Sequence, residues 1–105
     1  MLDDEGYPTD EALDCIERWP YIETDQMLEF VRGLWSYPQF WTQEGDMLTV
    51  STGGWSGNES LIRAMKGNLA FWHMCWESSR RGGHYTFDLS NWRKSREMMQ
   101  AAKTA

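Results

Sequence analysis

Thr52-Gly53-Gly54-Trp55-Ser56-Gly57-Asn58 and Arg80-Arg81-Gly82-Gly83-His84-Tyr85 are the two stretches of this chain best suited to ligand chemistry. Glycines let the backbone adopt positive φ and come close to a ligand. A helix that starts after such a loop offers unpaired amides and a partial positive charge, which attract phosphate or carboxylate. Thr52, Ser56 and Ser60 add hydroxyl donors. No lysine stands where a phosphate-binding nucleotide loop needs one. The same loop also reads as a plain strand-to-helix turn with Trp55 folded on the core, or as a protein-contact site with Trp55 exposed. In the second stretch, two arginines, an imidazole and a phenol can grip an oxyanion. They equally suit a helix end with its favoured positive charge and a glycine cap. The candidate ligand set is therefore Thr52, Gly53, Gly54, Trp55, Ser56, Asn58, Arg80, Arg81 and His84.

Catalytic constellations are harder to assemble. His73 and Cys75 stand two apart, so on a helix they share no face for metal binding or for a nucleophile and its base. The carboxylates crowd the first third of the chain and form no separated acid and base pair. The expectation is a non-enzymatic protein without metal or cofactor.

Charge is spread unevenly. Residues 1–30 hold ten acidic side chains against one basic, a net of −9, while residues 31–105 carry a net of +3, giving −6 for all 105 residues. An acidic face of Asp10, Glu11, Asp14, Glu17, Asp25 and Glu29 can steer toward a basic partner, or simply be solvated. There are seven tryptophans. Interfaces enrich tryptophan and arginine, and Trp55 and Trp41 are the two expected to be exposed. No stretch has the length and apolarity of a membrane span. The beginning, MLDDEGYP, has no signal-peptide pattern. Two distant cysteines fit reduced thiols in a cytoplasmic protein.

The elements that must position these residues follow from periodicity. Residues 1–8 read as an exposed leader. Thr9 caps a helix that Pro20 ends, and Thr24 caps a second helix that stops before Pro38. Residues 39–42 and 47–52 read as a hairpin. Leu61, Ile62, Met65, Leu69, Trp72 and Trp76 recur at three- and four-residue spacing. They predict one long helix over 59–79, capped by Asn58 and weakened by Gly67 and Asn68. Residues 84–89 read as a third strand, and Asp88 or Ser90 caps a last helix. The order α-α-β-β-α-β-α makes one α+β domain over 1–105. Its expected sheet is small, mixed and three-stranded, a hairpin plus a right-handed β-α-β crossover, packed with helices. In that topology the glycine loop and the arginine turn lie at opposite ends of the long helix. They can then share a site only in an oligomer, and a homodimer is plausible on symmetry grounds.

The pattern STGGWSGNES, then a tryptophan-rich segment, then SSRRGGHYTF, resembles small uncharacterised accessory proteins encoded by bacteriophages and prophages. The likeness is carried by Ser51 to Phe87 and covers about the last half to two thirds of the chain. It implies a protein that binds a bacterial host protein and inhibits or redirects it, a component of a defence system (a CRISPR system among them) being one such target. Two alternatives stand beside it. One is a small-anion or nucleotide sensor using the loop at 52–60. The other is a nucleic-acid binder using Arg80, Arg81, Arg93, Lys94 and Arg96.

Overall fold

Thr9 starts the first helix as its type and position require. Its hydroxyl accepts the Ala12 amide at 3.2 Å, and Asp10 and Glu11 sit in the positive first turn. The computed structural model describes residues 1–104. Helix α1 spans Asp10–Arg18 and ends where Trp19 turns extended before Pro20. Helix α2, Thr24–Leu34, buries Met27, Leu28 and Val31. Strands β1, Trp41–Glu44, and β2, Met47–Ser51, form the expected antiparallel hairpin. Leu48 and Val50 point inward and Met47 and Thr49 outward, the period-two alternation of a half-buried sheet.

The long helix expected over 59–79 does not form as one element. Helix α3 covers Ser56–Gly67, helix α4 covers Leu69–Cys75, and Trp76–Arg80 is strand β3. The break between α3 and α4 falls at Asn68. Its backbone leaves the helical region, and its buried side chain works three ways. Nδ2 donates to the Ile16 and Trp19 carbonyls at 2.9 and 3.0 Å, and Oδ1 accepts the Phe71 amide at 3.3 Å. One side chain thus closes α1 and caps α4.

Strand β4, His84–Asp88, pairs with β3 on one side and β2 on the other, all antiparallel. The sheet has four strands in the order β1-β2-β4-β3. The expected parallel crossover between 47–52 and 84–89 is therefore corrected. β3 adds one more pass, and the turn at Arg81–Gly83 sends β4 back against β2. The α+β class stands, with helices packed on an antiparallel sheet and the order α-α-β-β-α-α-β-β-α. Helix α5, Ser90–Thr104, closes the chain. Asp88 accepts the Ser90 amide at 2.9 Å, and that hydrogen bond holds its carboxyl below the usual range.

The core joins Ile16, Met27, Val31, Leu48, Val50, Leu61, Met65, Phe71 and Phe87 across all these layers. Phe71 and Phe87 meet at 5.3 Å between ring centres. Residues 1–5 of the leader are exposed, but Pro8 is buried and Tyr7 lies 4.8 Å from the Trp55 ring. Among the described residues, no helix is long and apolar enough to cross a membrane.

Candidate functional site

Antiparallel pairing of β2 with β4 brings the two glycine-bearing stretches together. Ser51 faces His84 in the register, and the Thr52 amide donates to the Gly83 carbonyl at 3.0 Å. The separation expected from a parallel crossover is thereby corrected: both stretches meet within one chain. His84 Nδ1 lies 2.7 Å from Ser51 Oγ, a cross-strand tie on the exposed side of the sheet.

The glycine loop itself is largely spent on structure. Thr52 and Asn58 are buried. Asn58 is not the helix cap but a bridge between loops. It accepts the Ser36 amide at 2.9 Å and donates to the Ser36 and Thr52 carbonyls at 2.8 and 3.1 Å. Trp55 folds over the start of α3, so closely that a side chain at Gly57 would strike its indole. Tyr7 covers Trp55 in turn and receives the Ser56 hydroxyl at 3.1 Å. Gly53 backs onto the Tyr37 and Phe40 rings. Within the loop the Trp55 amide donates to the Thr52 carbonyl at 3.1 Å and the Gly54 amide to the Thr52 hydroxyl at 3.4 Å, while Gly53, Gly54 and Ser56 stay exposed.

An open groove of about 740 Å³ lies beside this junction. Helix α3 supplies one wall through Glu59, Ile62, Arg63 and Lys66, which recur on one face at helical spacing. Trp72 from α4, Trp76 and Ser79 from β3, Gly83 and Tyr85 complete it. Trp72 is fixed by its neighbours. It meets Tyr85 and Phe87 edge-on, at 6.2 and 5.5 Å between ring centres. The Lys66 ammonium stands 5.8 Å from its ring centre. Trp76 stacks on Trp72 with ring planes 16° apart and centres 6.2 Å apart. Its Nε1 donates to Ser79 Oγ at 2.8 Å, which locks the ring's orientation. Yet Trp76 remains 43 % exposed. Fixed flat surface and nearby cations are what an anionic ring-bearing ligand needs.

Trp76 and the groove were hidden in the sequence by the helical spacing of Trp72 and Trp76, which reads as core. The available signal was WESSR and HYTFD flanking Arg81-Gly82-Gly83, a hairpin pattern. Arg80 and Arg81 lie between Ser79 and Gly83 but do not line the groove, and Arg80, paired with His84, falls on the sheet face opposite Ser79 and Tyr85. They are exposed and, among the described residues, carry no ion pair. The other basic candidates differ. Arg93 pairs with Asp46, and Arg96 pairs with Asp25 at 2.6 Å while lying over Trp92. Lys94 forms no ion pair among the described residues, although its charge adds to the lowering of the Asp88 carboxyl.

The expected acidic face is divided. Asp10, Glu11, Asp14 and Glu17 line α1, exposed and without cationic partners among the described residues. Asp25 is held by Arg96, and Glu29 approaches Arg32 at 3.7 Å. Asp25, Glu29 and Trp41 converge with Gln43 and Trp92 on a smaller cleft of about 230 Å³. Trp41 is half-buried, its ring centre 5.4 Å from that of Trp35, so neither it nor Trp55 is the most open tryptophan.

Cys75 is buried and His73 exposed, which keeps them apart. Burial pushes the Cys75 thiol up to about 12, with Asp88 adding to the effect, so it stays protonated and unreactive. Among the described residues, no group of three or more histidine, cysteine or acidic side chains is placed to hold a metal ion. No family model, curated protein or solved structure matches the chain. A functional reading therefore rests on this geometry.

Proposed function

We propose that this chain is a binding protein rather than a catalyst, and that its groove takes an anionic ligand bearing a flat ring, with nucleotides the fitting class. The observation that carries this reading is the open indole of Trp76, held parallel to Trp72 beside Arg63 and Lys66. Neither cation has a carboxylate partner among the described residues. A ring stacked on Trp76 replaces water on an apolar face, and a phosphate beside it answers the two cations. Because Ser79 and Trp72 already hold the indole, little order must be imposed on binding.

Stacking on one aromatic side chain contributes about 1–3 kcal/mol. With adenosine triphosphate as the probe, tryptophan fluorescence should report saturable binding. Trp76→Ala should weaken it about tenfold or more, while Gly54→Ala leaves it unchanged. Equal affinities for native protein and Trp76→Ala contradict the groove reading. Loss in Gly54→Ala alone would move the site to the glycine loop.

A second reading, in which the chain is a phage accessory protein acting on a bacterial host protein, is supported by a different observation. The cleft at Trp41 and Trp92 sets Glu29, whose contact with Arg32 is a loose 3.7 Å, beside aromatic rings, which suits an arginine or lysine from a basic protein surface. The unpaired carboxylates of α1 would steer that surface. Both cysteines are free, which supports a reducing setting such as cytoplasm. A variant combining Asp14→Lys with Glu29→Lys should lose any protein captured from bacterial lysate and keep nucleotide binding. Undiminished capture at raised salt would rule the steering out.

A further inference from the structure

We propose that the groove is selective for a single phosphate, taking nucleoside monophosphates in preference to polyphosphates, and that Glu59 sets this limit. The inference rests on the groove reading and narrows it from nucleotides at large to one kind of nucleotide.

The order of charges along α3 carries it. Among the described residues, the charged side chains lining the groove are Glu59, Arg63 and Lys66. All three are exposed, and none forms an ion pair among the described residues. Helix rise sets Arg63 and Lys66 about 4.5 Å apart along the axis, and Glu59 about 6 Å beyond Arg63. Contacts with the other wall fix which end is which. The Lys66 ammonium stands over Trp72, on which Trp76 stacks, so ammonium and open indole share one end. The Gly83 carbonyl is tied to the Thr52 amide, in the loop that leads into α3, so the β3–β4 turn and Glu59 share the other. A ligand whose ring lies on Trp76 therefore meets Lys66 and Arg63 first and Glu59 last.

One phosphate between the two cations answers both charges. A second or third phosphate has to leave that span. Toward the turn it approaches the Glu59 carboxylate. In the other direction α3 ends at Gly67, against which the side chain of Glu17 from α1 lies. The cation pair is thus bracketed by carboxylates along the helix. The start of α3 carries about half a positive charge, which offsets part of the Glu59 charge and leaves the rest. Charge alone would otherwise favour the ligand with most phosphates. The bracket reverses that order.

Tryptophan-fluorescence titration with adenosine mono-, di- and triphosphate tests this, in buffer with a chelator so that no divalent cation masks the phosphates. The native protein should bind the monophosphate at least as tightly as the triphosphate. In water, one carboxylate about 6 Å away is worth roughly threefold in affinity per phosphate charge. Glu59→Gln should therefore tighten triphosphate binding about tenfold and monophosphate binding at most about threefold. The Glu59 side chain is exposed, so the variant keeps its fold. If affinity climbs steadily from mono- to triphosphate in the native protein, the limit is overturned. It is overturned equally if Glu59→Gln moves all three alike or not at all. In both cases the groove reading stands as long as Trp76→Ala weakens monophosphate binding. If none of the three binds, or if Trp76→Ala leaves every affinity unchanged, the groove reading and the limit fall together.

Discussion

Asn68→Asp will destabilise the protein by about 3 kcal/mol, although aspartate is as good a helix cap as asparagine. The buried Asn68 amide donates to the carbonyls of Ile16 and Trp19, at the end of α1. A carboxylate keeps the acceptor for the Phe71 amide but loses both donors, and it aims negative charge at two carbonyl oxygens. Each buried polar group left without its partner costs about 1–3 kcal/mol. For a domain of this size the melting temperature should drop by roughly 12–24 °C. Asn68→Ala should cost a similar amount, since it loses the cap as well. Urea denaturation of both variants decides the matter. A cost below about 1 kcal/mol for Asn68→Asp would mean that capping α4 is the main role of Asn68, and that α1 is held by other contacts.

The second large effect is at the junction of the two stretches. Gly83→Ala should cost about 3 kcal/mol, against about 1 kcal/mol for Gly54→Ala. Both glycines have positive φ, +79° and +76°, which an alanine tolerates at a penalty of about 1–2 kcal/mol. They differ in surroundings. Around Gly54 an added methyl meets nothing within 4 Å, whereas at Gly83 it would overlap the Thr52 hydroxyl. Thr52 is buried and cannot swing aside freely. Overpacking of this kind adds about 1–3 kcal/mol. The bond from the Thr52 amide to the Gly83 carbonyl is strained by the same shift, so the β3–β4 turn moves relative to the groove. Parallel denaturation curves check the comparison. Equal costs at the two glycines would mean that the Thr52–Gly83 contact relaxes without resistance.

Much of the fold was legible because its signals are local. Thr9 with Asp10 and Glu11 marks a helix start through groups within one turn. Leu48 and Val50 mark a strand face through simple alternation. What was not legible depends on partners distant in sequence. Asn68 looks like a weak helix residue until Ile16 and Trp19 are seen beneath it. Asn58 looks like a cap until Ser36 arrives from another loop. The spacing of Trp72 and Trp76 fits one helix turn. The two rings do stack, but across a helix-to-strand junction, so the period was right about proximity and wrong about backbone. That one misreading hid β3, reversed the direction assigned to β4 relative to β2, and separated the loop from the turn. The candidate residues Arg80, Arg81 and His84 were identifiable by type. The groove residues Arg63, Lys66 and Trp76 needed the topology.

The central claim is that ligand enters between α3 and β3 and lies on Trp76. The seven indole N–H groups give one nuclear magnetic resonance signal each, so a nitrogen–proton correlation spectrum during titration with adenosine triphosphate reads all of them at once. The account predicts that Trp76 and Trp72 shift together and saturate at one affinity, while Trp55 and Trp41 hold still. Shifts at Trp55 and at the amides of 53–57, with Trp76 unmoved, would contradict it.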